Sequence, residues 1–155
     1  MDIRIADVAD LPALTVLINS AYEVERFFKN RDRLSPEEAS ALLEKGTFLI
    51  AQDDSGICGT VFVKYTGDIA LFGLLAVNPS QQGNGLGRLL ISAAERFART
   101  KNCLTMTLEV VNLRLELPPF YRKLGYKETG MAPFPDEALA KLPCHFIVMS
   151  KSLRP

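Results

Sequence analysis

The stretch Ile69–Val77 constrains this chain more than any other. It carries no polar side chain, so a strand built from it has nothing to show water. It should be central in a sheet and covered on both faces. It runs directly into Asn78-Pro79-Ser80-Gln81-Gln82-Gly83-Asn84-Gly85-Leu86-Gly87-Arg88. Beyond that turn, Leu86, Leu89, Leu90, Ala93, Ala94 and Phe97 recur at the spacing of a long amphipathic helix. A strand that passes through a glycine-rich turn into a helix is an arrangement for binding an anion. The first amides of a helix have no partner within it, and its dipole presents roughly half a positive charge there. Gly83, Gly85 and Gly87 let backbone N–H groups approach an anion closely. Arg88 sharpens the point: a cation in the first helical turn opposes the dipole unless something negative docks beside it.

The turn is not a Walker loop, because no Gly-Lys-Ser/Thr follows. It is not a dinucleotide fingerprint either. Its glycines alternate, and the strand before it belongs to a meander rather than opening a βαβ unit.

The rest of the chain supplies the frame. Ile3 and Ile5 alternate with polar neighbours as a short strand, and Asp10 can cap a helix carrying Leu14, Leu17, Ile18 and Ala21. Ser35-Pro36-Glu37-Glu38 is a capping-box start for a second helix, which ends near Gly46. Thr47–Gln52 and Ile57–Tyr65 read as strands joined by the Asp53-Asp54-Ser55-Gly56 turn, and Gly67-Asp68 leads into Ile69. Residues 104–110 alternate, with Leu104, Met106, Leu108 and Val110 on one face and Thr105, Thr107 and Glu109 on the other. A short helix covers Leu115–Leu124 and stops at Gly125. A strand over Tyr126–Thr129, a proline-rich loop over Met131–Pro143 with a helical turn at Asp136–Lys141, and a last strand over Phe146–Ser150 complete the chain. The order β-α-α-β-β-β-α-β-α-β-β predicts an α+β fold around one mixed sheet.

The 155 residues fit a single domain spanning 1–155, without internal boundary or repeat. Lys+Arg and Asp+Glu are both 18, so no basic field recruits nucleic acid. No apolar run approaches the roughly 18 residues of a membrane span, and the N-terminus lacks a signal-peptide pattern. Cys58, Cys103 and Cys144 have neither zinc nor disulfide spacing, which points to no metal and to the reducing cytoplasm.

Two segments carry a resemblance. Residues 77–87, ending Gln82-x-x-Gly85-x-Gly87, resemble the acetyl-CoA motif of the GNAT superfamily of N-acetyltransferases. Residues 108–130, with Asn112 after the strand and Phe120-Tyr121-x-x-x-Gly125-Tyr126, resemble the family's strand-5 and helix-4 segment. The resemblance implies a mostly antiparallel sheet of about seven strands with about four helices, the fourth and fifth strands splayed. The pantetheine arm would lie in the gap along the backbone of Leu75, Ala76 and Val77. The pyrophosphate would sit on the amides of Gln82, Gly83, Asn84, Gly85, Leu86, Gly87 and Arg88, and Asn112 would bond the arm. Tyr121 matches the general-acid position; its alternative is an aromatic packed between helix and sheet.

The implied activity is direct transfer of acetyl from acetyl-CoA to an amine, preferred over a covalent acyl-cysteine on Cys144. A small-molecule acceptor is favoured. The alternatives are a protein or peptide amine, or a non-catalytic CoA-binding module. Many family members place a glutamate on the fourth strand as base, and none stands between Leu71 and Leu75. Glu109 is the candidate instead, against an ordinary solvated or salt-bridged strand glutamate. Glu23 and Glu25 could meet a cationic amine, though a solvated loop is the better expectation. His145 reads as structural. Phe27 and Phe28 line the acceptor site or pack helices, and Met131–Pro143 forms a pocket wall or a homodimer contact.

Overall fold

The computed structural model describes residues 1–29, 32–134 and 140–155. The strands are β1 (Asp2–Ile5), β2 (Thr47–Asp53), β3 (Gly56–Thr66), β4 (Ile69–Val77), β5 (Thr105–Val111), β6 (Lys127–Pro133) and β7 (His145–Ser152). The helices are α1 (Leu11–Ala21), α2 (Pro36–Lys45), α3 (Leu86–Thr100) and α4 (Leu117–Lys123). Short 3-10 turns at Val8–Asp10, Tyr22–Glu25 and Pro79–Gln81 link them. The described strands form one sheet in the order β1-β2-β3-β4-β5-β7-β6. Every pairing is antiparallel except β4 with β5. The α+β architecture expected from the element order is therefore present, with β4 at its centre.

Local chemistry explains the helix starts. Ser35 and Glu38 close the reciprocal capping box on α2. Asp10 does not cap α1. Asp7 caps the preceding 3-10 turn, and Asp10 closes that capping box from the N3 position while pairing with Arg4 on β1. Both residues are good caps three positions apart, and the cation on the neighbouring strand decides between them.

Two cores sit on opposite faces of the sheet. One packs α3 and α4 against Val61, Val63, Phe72, Met106 and Leu108. The other packs α1 and α2 against Phe48, Ile50, Phe62, Leu74 and Ala76. β4 serves both because it changes face partway. Its register against β3 jumps between Thr60 and Phe62, so Leu74 and Leu75 together oppose Val61. Leu74 takes up the extra residue with φ 52°, a left-handed conformation that costs a non-glycine residue about 1–2 kcal/mol. Before the bulge, Ala70 and Phe72 face α3; beyond it, Leu75 and Val77 do.

β6 runs to Pro133, so the expected loop from Met131 begins as strand. The proline is tolerated because it is the last residue of β6, which is the sheet's edge strand. Most of the helical turn expected at 136–141 lies outside the described residues.

Candidate active site

The site begins where β4 and β5 part. Their partners run only from Ile69 with Thr105 to Leu71 with Thr107, and Thr107 Oγ1 donates to the Ala70 carbonyl at 3.0 Å. Beyond that, β5 continues along β7 as far as Val111 with Phe146. β4 follows β3 to Val77. Among the described residues, the β5-facing edge of β4 from Phe72 to Val77 pairs with no strand. The bulge at Leu74 and Leu75 lies at this fork.

Above the fork is the glycine turn. Asn78 Oδ1 accepts from the Ser80 N–H and hydroxyl, and Gln82 Nε2 donates to the Val77 carbonyl at 3.3 Å, which folds the turn back on β4. Gly83 and Gly85 have φ 89° and 78°, conformations that favour glycine. Gly85 is the N-cap of α3 and gives its amides no side-chain acceptor; the first turn holds no acid. Arg88 is exposed there. Gly87 is the informative residue. It lies inside the helix, and a Cβ built on it would meet nothing within 4 Å. Neither backbone conformation nor packing demands glycine, although alanine would favour the helix by about 1 kcal/mol. Uncapped amides, an exposed cation and a surface kept bare of side chains suit a bound anion such as a pyrophosphate.

On the α1/α2 side, the fork opens into a cavity of about 410 Å³. Leu71, Gly73 and Leu74 form its floor, with Tyr22, Arg33 and Glu109 among its walls. Glu109 is exposed within it. Tyr121 lies on the other side of β4, 6% exposed, its ring edge-on to Phe72 at 6.0 Å, Phe120 at 5.2 Å and Tyr126 at 6.2 Å. The packing expected of this ring is there, and its hydroxyl bonds to no described protein group. Burial pushes the Tyr121 hydroxyl well above the usual phenol range; Tyr22 adds to the rise and Arg114 opposes it. Such a group keeps its proton across the physiological range.

Asn112 is half committed. Its Oδ1 accepts from the His145 N–H at 2.9 Å, and its own N–H donates to the His145 carbonyl, tying the end of β5 to β7. Its side-chain NH₂ donates to no described residue. The structure gives His145 this backbone role at the start of β7.

Glu25 departs from the solvated loop expected of it. It is 5% exposed and held by Lys29 Nζ at 2.9 Å and Arg114 at 2.8 Å. Glu23 is exposed and pairs with Arg26. Phe28 is fully buried with Val111 and Phe134, while Phe27 stays 52% exposed. Lys29 bridges to Ala140, and the Lys141 N–H donates to the Phe28 carbonyl at 2.7 Å. Lys141 Nζ donates to the Arg26 carbonyl as well. The segment after α1 and the segment before β7 thus clasp each other beside the cavity. The expectation that part of Met131–Pro143 lines a pocket wall fits Phe134, which lines the cavity.

Tyr22, Arg33, Lys64 and Arg114 escaped the sequence. Tyr22 and Arg33 lie close in sequence to Glu23, Glu25, Phe27 and Phe28, already considered for the acceptor site. Arg114 lies two residues past Asn112. None carried a spacing signal of its own. Among the described residues, no group of three or more His, Cys, Asp or Glu side chains is placed to hold a metal ion. No described helix is long and apolar enough to cross a membrane.

Known proteins share this fold. The acetyltransferase (GNAT) domain family matches residues 44–128, which include β4, the glycine turn, α3, β5 and α4. Human N-acetyltransferase 8B is 28% identical over 132 residues, 80% of this chain. The match covers 58% of that relative's length. The ribosomal-protein-S18-alanine N-acetyltransferase from Escherichia coli superimposes with a TM-score of 0.79 at 18% identity, over 99% of this chain and 94% of its own. An aminoglycoside 6'-N-acetyltransferase complexed with coenzyme A superimposes with a TM-score of 0.79 at 20% identity, over 100% and 98%.

Proposed function

Since the chain belongs to the GNAT acetyltransferase family, we propose that it moves an acetyl group from acetyl-CoA directly to the amine of a small molecule. The observation that carries this reading is the conjunction at β4. An anion-ready glycine turn, a strand edge without a partner and a cavity of about 410 Å³ meet along one strand. The curated relative and the structural neighbours are named as N-acetyltransferases, one of them held with coenzyme A.

The amides of Gln82 through Arg88 would hold the pyrophosphate, and the free edge of β4 at Leu75, Ala76 and Val77 would bond the pantetheine arm, with the Asn112 NH₂ as a further donor. The bound co-substrate supplies an acetyl thioester, whose carbon accepts an amine. An amine with a pKa near 10 arrives protonated and must lose its proton before it attacks. Glu109, exposed in the cavity two residues past the last β4–β5 pair, takes that proton directly or through water. A backbone N–H of the Leu74–Leu75 bulge donates to the carbonyl oxygen as negative charge develops on it. Tyr121 then protonates the departing thiolate as the C–S bond breaks, and the second proton of the attacking nitrogen returns to Tyr121 directly or through water, so that the one proton taken by Glu109 is the net proton released per turnover. Cys58, beside the strand core, is pushed above its usual range by burial and is no nucleophile. Three cysteines without a disulfide suit a cytoplasmic setting.

A protein amine is the second reading, favoured by the ribosomal-protein enzyme among the neighbours. The clasp beside the cavity weighs against it, because it narrows the approach for a chain.

Kinetics on two variants test the proposal. Tyr121→Phe should keep acetyl-CoA affinity and lose about 10²-fold in kcat, and Glu109→Gln should lose a similar factor. Full turnover in both variants would return the pair to ordinary packing and surface roles.

A further inference from the structure

The charges lining the acceptor cavity are informative once internal pairs are removed. Glu25 is taken by Lys29 and Arg114. Asp32 bonds Arg26, and Glu38 closes the capping box of α2. Lys45 stands in the last turn of α2, where the helix dipole favours a cation. Apart from Lys45, three charged linings have no oppositely charged partner among the described residues: Glu109, Arg33 and Lys64.

These three are not scattered. Glu109 stands on β5 just past the fork, beside the reacting end of the cavity. Lys64 stands on β3 opposite Leu71, whose β5 partner is Thr107, so it lies two strands and two residues from Glu109, at least roughly 12 Å at the backbone. Arg33 stacks over the Tyr22 ring, 5.4 Å from its centroid. A stacked guanidinium leaves its N–H edges free for a planar carboxylate, which it holds with two parallel bonds. The cavity therefore offers one carboxylate where an amine must react and two cations on other walls, Lys64 on β3 and Arg33 against Tyr22.

We propose that the acceptor is an anionic amine: its amino group lies at Glu109, and a carboxylate or similar anion several bonds away is held by Arg33 with Lys64. This rests on the transferase reading above and names the acceptor's chemical class. Polycationic amines would meet Arg33 and Lys64 unfavourably, and a neutral amine would leave both cations unanswered.

Matched probes isolate the anion. 6-Aminohexanoate and 6-aminohexanamide differ only in the terminal charge, as do glycylglycine and glycylglycinamide; spermidine serves as the polycation. With acetyl-CoA, the carboxylate of each pair should win by roughly tenfold in kcat/KM, the worth of one charge-assisted contact. Arg33→Gln should erase the preference while leaving acetyl-CoA affinity unchanged. Equal use of both members, a preference that survives Arg33→Gln combined with Lys64→Gln, or better use of spermidine would overturn the proposal. Calorimetry of the same pairs on CoA-saturated protein separates the two claims. Arg33-dependent binding of the carboxylates without acetyl transfer upholds the anion site and sinks the transferase reading. Equal binding of both members, or of neither, overturns the anion site whatever the turnover.

Discussion

Arg4 and Asp10 tie β1 to the entry of α1 with two bonds of 2.9 and 2.8 Å. The hydrogen bond from Arg4 holds the Asp10 carboxyl down from 3.8 to about 2, against the opposing effect of burial. A folded-state pKa below the unfolded one gives stability that is fully present above pH 3.8 and is lost as the pH falls toward 2. The difference in unfolding free energy between the protein and Asp10→Asn, read by urea titration, should therefore shrink over that interval; a gap independent of pH would mean the pair does not act through its charge. Gly46 makes a different point. A Cβ there would stand 2.6 Å from both Phe62 Cζ and the Val63 carbonyl, and backbone cannot yield as a flexible side chain does. Gly46→Ala should cost about 2–3 kcal/mol in urea unfolding. Sequence alone marks Gly46 as a helix stop and says nothing of this closeness, because the neighbour is a strand more than fifteen residues on.

Elements built from local chemistry were the most legible. Ser35 through Glu38 announced α2, and the apolar run of β4 announced a central strand. The fork between β4 and β5 was legible only through resemblance, since neither strand's composition says that pairing stops after Leu71. The Glu25 network shows why the rest was hidden. Glu25 and Lys29 stand one helical turn apart and can be paired by inspection. Arg114 arrives from a loop remote in sequence, brought by the sheet order alone. With Glu25 at 6% and its two partners at 11% and 15% side-chain exposure, the cluster is effectively buried. Glu25→Ala should destabilise by about 3 kcal/mol, because it removes the buried carboxylate that Lys29 and Arg114 share and leaves Arg114 the exposed Glu116, and Glu25→Gln by less. Equal stability of Glu25→Ala and the parent in thermal and urea unfolding would show that water reaches the cluster freely.

Across the molecule, one strand organises everything. β4 is central in the sheet, shifts its facing at a strained leucine, leaves one edge without a partner and ends in the glycine turn. Packing explains the first two features; the last two make sense only if a ligand completes them. The central claim is that the turn is kept open for the diphosphate of acetyl-CoA, and Gly87 is where fold and function part most cleanly. Gly87→Glu puts its Cβ where no protein atom lies within 4 Å, replaces a poor helix former and places an acid where the helix dipole favours one. The measurement to make is calorimetric titration of this variant and the parent with acetyl-CoA, each beside a thermal melt. The account predicts micromolar binding by the parent, and a variant that melts no lower yet binds at least a hundredfold more weakly. Undiminished binding by a folded Gly87→Glu, or no binding of any coenzyme A species by the parent, would contradict it.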